Sequence, residues 1–283
     1  EITEEEFEEI ENVAEPCAGS CAMLGTANTM SSLAEAMGMS LPGAAMIPAV
    51  YGARTRMGYE TGVAIVNLVE KQITSRQIIN KKSIENAMMT LMAIGGSTNA
   101  IMHLQAIYKE SGSGQLALES FNEIAAKTPQ VASVYPASEY DVVDFYEAGG
   151  IPAVLKELEV ILNKDVMTCT GLELRDLLPE YKETSRREVI KPFDEPFSKT
   201  GGVAVLTGNL APLGAVVKPA AVPKHMMVFK GPAVVFHSEN EAIEQILSGK
   251  IEKGSVLVLR YEGPKGGPGM PEMYAPMKHL EGM

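Results

Sequence analysis

The sequence predicts an α/β protein in two parts, a helix-rich α/β portion over residues 1–186 followed by a β-barrel-like domain over 187–283, each of them incomplete. Three observations lead there. Apolar residues recur at helical spacing through the first part of the chain, short β-branched runs replace them after Arg186-Arg187, and 283 residues set a prior of about two domains. The charged stretch from Lys182 to Glu188 marks the boundary.

The elements follow in order. Phe7, Ile10 and Val13 stand at helical spacing among six glutamates from Glu4 to Glu11, an acidic amphipathic helix. Met30, Leu33, Ala34 and Met37 mark a helix that Gly38 and the Leu41-Pro42-Gly43 turn bring to an end. A further helix falls near 56–72, and Thr74 with Gln77 reads as a capping box for a short one after it. Ser83 is positioned to cap a helix through Ile84, Ala87, Met88 and Leu91, which breaks at Gly95-Gly96 and resumes through Ile101, Leu104 and Ile107. Helices are expected at 115–126, 140–148 and 152–162, the last opened by Pro152 in its first turn. The methionine-rich faces read as core filler.

After residue 186, Val189-Ile190, Val203 to Leu206, Ala215 to Val217, Met226 to Phe229, Val234 to Phe236 and Val256 to Leu259 read as strands between Gly, Pro and Asn turns. That density predicts a barrel or sandwich. One helix interrupts it, capped by Ser238 with Glu241 and ending at Gly249. Beyond residue 272 the composition predicts no terminal helix, and the chain, starting at Glu1, reads as a piece of something longer.

Composition bounds the function. With 46% hydrophobic and 21% charged residues the chain is globular rather than disordered, and its longest apolar runs are too short to span a bilayer. A formal charge of −12 argues against nucleic acid, which needs a basic face, and makes an anionic small substrate depend on a local cation or metal. Three scattered cysteines, at 17, 21 and 169, form no disulfide framework and point to a cytoplasmic compartment.

Three stretches can carry chemistry. The run from Arg260 to Met273 packs four glycines and three prolines between Gly263 and Glu272, so it builds neither helix nor ladder. It ends in Glu272, a candidate hard-metal ligand or acid/base group, against the plainer reading of a solvated turn. Pro16 to Met30 leads small residues into a helix N-terminus, where the dipole favours a thiolate at Cys21 as metal or cluster ligand or as nucleophile. The Cys-x-x-x-Cys spacing by itself is as compatible with an inert pair. Gly95-Gly96-Ser97-Thr98-Asn99 sits between two helices, where Ser97, Thr98 and Asn99 either cap the second helix or hold a substrate carboxylate. His103, one turn further, reads as a satisfied polar group.

Taken together, the strings at 19–30, 95–104, 149–158, 198–218 and 260–276 resemble the dihydroxy-acid dehydratase and 6-phosphogluconate dehydratase family, from about residue 3 to the C-terminus. The resemblance implies a homodimeric hydro-lyase that converts a 2,3-dihydroxy acid into a 2-keto acid. It assigns Cys21 to an iron–sulfur cluster, 2Fe-2S with 4Fe-4S as the alternative, and Glu272 to Mg²⁺. Ser97, Thr98, Asn99 and Gly267 fall to the substrate, with Gly266 to Gly269 shaping the approach to Glu272. Cys17 and Cys169 stand where the family has other residues and stay outside the site. Two further cluster cysteines, other metal ligands and a modified lysine would precede this chain, and a catalytic serine base would follow it. The 283 residues alone are therefore expected to bind no complete cluster and to turn nothing over. Lys199-Thr200-Gly201-Gly202 and Met226-Met227-Val228 look like the branched-chain amino-acid branch of isoleucine and valine biosynthesis. Arg54 to Thr61 and Asp144-Phe145-Tyr146 look more like the sugar-acid branch, acting on aldonates such as arabinonate or xylonate. An inactive structural or assembly fragment is the reading of another class.

Overall fold

One helix that is apolar on nearly every side organises the helical part. In the computed structural model, which describes residues 2–13, 21–263 and 273–282, α1 spans Glu4–Val13, α2 Thr26–Ala36, α3 Gly52–Glu70, α4 Ser75–Ile78 and α5 Lys81–Ile94. Then come α6 Asn99–Glu110, α7 Glu119–Lys127, α8 Val142–Glu147, α9 Gly150–Glu157 and α10 Leu174–Leu177. From Ser83 to Ile94 every residue of α5 except Glu85 is buried, which is the pattern of a core helix, and α2, α6, α7 and α9 pack against it. Its buried Asn86 is satisfied by exchanging two 2.9 Å hydrogen bonds with the backbone of Asn163.

The helix ends follow local chemistry. Thr74 and Gln77 form the expected capping box. For α5 the cap is Asn80 rather than Ser83: the Asn80 side chain accepts from the Lys82 and Ser83 amides, and Ser83 Oγ accepts from the Asn80 amide. Ser83 lies three residues inside, so its hydroxyl serves the reciprocal half of the box. Gly95 closes α5 in the left-handed region at φ +58°.

The chain divides into two compact units, Glu1–Ala221 and Val222–Met283. In the first, β1 Ala204–Leu206 and β2 Ala215–Val217 pair antiparallel, with Val205 opposite Val216. Val189, Ile190, Val203 and Val205 lie in the same core as the α5 residues. The charged stretch near 186 is tied to the helices, Arg186 to Asp144 at 2.9 Å and to Glu147 at 3.2 Å, and Arg187 to Glu157 at 2.5 Å. Asn122 of α7 donates to the Val205 carbonyl and accepts from its amide, both at 2.9 Å.

The second unit contains β3 Ala233–Phe236, α11 Glu239–Leu247, β4 Val256–Leu259 and α12 Tyr274–Gly282. β3 and β4 are parallel, in register from Ala233 opposite Val256 to Phe236 opposite Leu259. Two parallel strands need a crossover, and α11 supplies it, capped as expected by Ser238 accepting from the Glu241 amide. Phe236, Ala242 and Ile246 are buried in this unit. Among the described residues the strands form two separate pairs and no barrel closes. The architecture is mixed helix and sheet. Met226 to Phe229 is not a strand: a 3-10 turn spans Lys224–Met226 after Pro223, and all four side chains are exposed, with no partner strand for the run. The terminal helix α12, absent from the sequence expectation, tolerates Pro276 because it falls in the first turn. No helix among the described residues is long and apolar enough to cross a membrane.

One buried acid holds the turn after α2. Both oxygens of Glu35, which is 6% exposed, accept backbone amides, from Gly43 at 2.6 Å and from Ala45 at 2.8 Å. Burial raises its pKa from 4.5 to about 7, although the two amides pull the other way. Between those values the folded chain keeps a proton that the unfolded chain has lost, so stability falls as pH rises through that window. Glu35→Gln should remove this slope and turn an N–H group toward a donor. Urea unfolding should give a loss of about 1–3 kcal/mol at pH 5 that narrows above pH 7, whereas an unchanged slope would exclude Glu35 as its source.

Candidate functional site

Two of the stretches singled out in the sequence meet at the N-terminus of α2. The segment 21–25 is pinned before the helix begins, with the Leu24 amide donating to the Tyr135 carbonyl at 2.8 Å and the Val142 amide to the Ala22 carbonyl at 3.0 Å. Cys21 itself is exposed. The buried Asn28, in the first turn of α2, donates through Nδ2 to the carbonyls of Cys21 and Met23, both at 2.8 Å, with the Cys21 sulfur 3.9 Å away. The amide of a helical residue thus fixes the loop that carries the thiol.

The loop at 95–99 docks on the same turn. The Ser97 amide donates to Thr29 Oγ1 at 2.9 Å, the Ser97 and Thr26 hydroxyls are 3.0 Å apart, and Asn99 Nδ2 donates to Thr26 Oγ1 at 2.9 Å. Ser97, Thr98 and Asn99 are all half-buried, and Ser97 Oγ also accepts the Asn99 amide at 3.3 Å. Thr98 stands at the cap of α6 without a side-chain capping bond. Capping and docking are therefore shared among these residues. A Cβ on Gly96 would lie 2.7 Å from Thr29 Cγ2, so only glycine allows this approach.

A third stretch closes the other side of the α5 terminus. The Gly202 amide donates to the Met92 carbonyl at 2.9 Å and that of Gly201 to the Ala125 carbonyl at 3.0 Å. Beyond β2, Ala220 reaches to 3.7 Å from where a Gly95 Cβ would stand. Lys218, on the same segment, is half-buried and its ammonium is held below the usual lysine pKa by burial.

Glu272, Gly267 and Cys17 lie outside the described residues. Cys169 is elsewhere in the first unit, its amide bonded to the Gly38 carbonyl at 2.7 Å and its thiol pushed up to about 11 by burial, with the Glu35 charge adding to it. That is the environment of an inert thiol. His103 is half-buried one turn into α6. Among the described residues no three His, Cys, Asp or Glu side chains gather as a metal site. Cys21 fits one position in a thiolate ligand set, exposed and held by its backbone, and the described residues do not complete that set. Sequence reasoning missed Asn28, Thr26 and Thr29 as the parts that join the two stretches. Their only signal was position, since polar side chains in a first helical turn beside a cysteine loop can reach its carbonyls.

Comparison with known sequences decides the family. The profile described as dihydroxy-acid/6-phosphogluconate dehydratase N-terminal matches residues 1–177, and the one described as its C-terminal counterpart matches 188–283. The chain belongs to the dihydroxy-acid/6-phosphogluconate dehydratase family. Among family members it is 50% identical to a dihydroxy-acid dehydratase of Caldanaerobacter subterraneus subsp. tengcongensis, over 100% of this chain and 51% of that protein. Proteins of the same name from Methanothermobacter thermautotrophicus, 46% identical over 100% of this chain and 51% of the relative, and from Pyrococcus furiosus, 48% identical over 99% and 50%, are similar to it as well. The chain spans about half the length of these dehydratases.

The joint between Asn28 and the Cys21 loop is open to test. Asn28→Ala leaves the Cys21 and Met23 carbonyls without their donor and should cost about 1–3 kcal/mol in urea unfolding. Alkylation of Cys21, followed by peptide mapping, should accelerate while that of the half-buried Cys169 does not. Equal rates in both proteins would show that Asn28 does not hold the loop.

Proposed function

We propose that this chain forms part of a hydro-lyase that dehydrates a 2,3-dihydroxy acid of the 2,3-dihydroxy-3-methylbutanoate type to a 2-keto acid, in branched-chain amino-acid biosynthesis. The observation that carries the reading is the joint at the α2 N-terminus, which brings the Cys21 loop and the Ser97 loop into one hydrogen-bonded unit. Family membership supports it, as do the names of the relatives.

In this reading Cys21 gives its thiolate to an iron–sulfur cluster, and Glu272 gives its carboxylate to Mg²⁺. When bound, the two groups supply Lewis acidity toward the hydroxyl and carboxylate oxygens of the acid. The chain's own contribution is placement. Asn28 ties the Cys21 backbone to the first turn of α2, which would hold the loop in place for the thiolate. The Ser97 and Asn99 side chains, with Thr98, face an acid substrate from the α6 N-terminus, where hydroxyl and amide groups hold its oxygens and the helix dipole favours its charge.

One residue in each of the two strings that pointed to an aldonate has a structural contact. Arg54 donates to the Ala44 and Ile47 carbonyls, and Asp144 accepts the amide of Asp141, the α8 cap, and pairs with Arg186. The relatives carry the name dihydroxy-acid dehydratase, which supports a dihydroxy-acid substrate, and the Lys199 to Gly202 and Met226 to Val228 strings lean this reading toward the branched-chain one.

The complete enzyme containing this chain should form 2-keto acid from 2,3-dihydroxy-3-methylbutanoate faster than from arabinonate or xylonate. Cys21→Ser should lower its iron and sulfide content, and activity should fall by more than the roughly 10- to 100-fold that loss of a supporting group costs at metal sites. Preference for an aldonate would reverse the substrate assignment. Full iron and sulfide in the Cys21→Ser enzyme would remove Cys21 from the ligand set.

A further inference from the structure

One half-buried cation of the first unit has no counter-charge. Among the described residues, the Lys and Arg side chains that lie half-buried are Lys156, Lys164, Arg186, Arg187, Lys191 and Lys218. Carboxylates at 2.5 to 3.2 Å answer the first four, and the Lys191 ammonium stands 4.5 Å from the centre of the Phe197 ring. Lys218 has no hydrogen bond, ion pair or ring contact with a described residue, and burial alone holds its pKa down. Lysine is rarely left so, because a desolvated ammonium without a partner costs free energy that a methionine of the same length would not.

The fold places this lysine from both sides. β2 runs antiparallel to β1 with Val217 opposite Ala204, so the next position in that register sets Lys218 beside Val203. Val203 is buried and follows Gly202, whose Cβ would stand 2.6 Å from the Gly95 Cα. Two residues beyond Lys218, the Ala220 methyl lies 3.7 Å from where a Gly95 Cβ would be. Lys218 thus lies between two segments that both close on Gly95, and Ser97 follows Gly95 by two residues. All of these residues belong to the first unit.

Charge selects the kind of ligand. A chain with a formal charge of −12 repels a small anion everywhere except where a cation stands unopposed. A carboxylate arriving beside Lys218 supplies the counter-charge that the fold withholds, in a site dry enough to make the charge-assisted hydrogen bond strong. A neutral ligand would leave the ammonium unpaired, and a cationic one would be repelled.

We propose that Lys218 is a substrate-binding residue, its ammonium taking the carboxylate of the small acid held at the Ser97 loop. The inference rests on the dehydratase reading and adds to it a residue for the anionic end of the substrate.

Steady-state kinetics of the complete enzyme containing this chain test it, with 2,3-dihydroxy-3-methylbutanoate as substrate. Lys218→Met keeps the side chain's length and removes its charge. It should raise KM about 10- to 100-fold while kcat changes far less, the signature of lost ground-state binding. A second measurement needs no variant to fold. Brief acetylation of the wild-type enzyme with acetic anhydride, followed by peptide mapping, should label Lys218 several-fold more slowly when saturating 2-keto acid product, which retains the carboxylate, is present. The exposed Lys109 and Lys127 should be labelled equally with and without it. An unchanged KM in Lys218→Met, accompanied by a lower unfolding temperature, would show that the lysine pairs with a carboxylate from the rest of the enzyme and would overturn the proposal, as would labelling of Lys218 indifferent to the acid. Turnover with either of those results removes only the role of Lys218, whereas an enzyme that dehydrates no 2,3-dihydroxy acid removes the dehydratase reading and this inference with it.

Discussion

The first unit depends on the absence of side chains at one place, the C-terminal end of α5. A Cβ on Gly202 would lie 2.6 Å from the Gly95 Cα, one on Gly201 2.7 Å from the Met92 Cβ, and one on Gly96 2.7 Å from Thr29. Two chain segments, α2 and the 198–202 turn, meet this helix end where only bare backbone fits. The fully buried helix fixes where the end stands, and the glycines let α2 and the 198–202 turn close on it from two sides. The position of the Ser97 loop against the Cys21 loop is therefore a consequence of core packing, with hydrogen bonds setting the final register.

Much of this was legible in sequence where the physics is local. Thr74 with Gln77 and Ser238 with Glu241 announced their caps, because both partners of each bond lie within three residues. Asn86, Asn122 and Asn28 did not announce theirs. Asn86 and Asn122 find backbone partners 77 and 83 residues away, set by tertiary placement that no window reveals. Density of β-branched runs was a poor guide to architecture. Val234 to Phe236 and Val256 to Leu259 are strands, yet the helix between them makes the pair parallel, and Met226 to Phe229 pairs with no strand among the described residues.

The candidate site shows the same division. Cys21 and Ser97 to Asn99 stood out because small residues and hydroxyls beside helix starts are unusual outside caps and ligand sites. What joined them, Thr26 and Thr29, looked like ordinary first-turn residues. Burial then separates the two described thiols: Cys169 is held protonated beside Glu35, while Cys21 is in reach of a ligand. Membership of the dehydratase family rests on sequence likeness over residues 1–177 and 188–283.

The paired bonds between Asn122 and Val205 have a consequence for how the protein behaves in a crowded solution. A side-chain amide that both donates to and accepts from one strand residue imitates a neighbouring peptide unit. It occupies the outward-facing groups of β1 that would otherwise template a strand from another chain. A sheet of only two short strands thus keeps its own free edge closed without growing wider, and the first unit is spared an aggregation hazard by a residue that belongs to a helix.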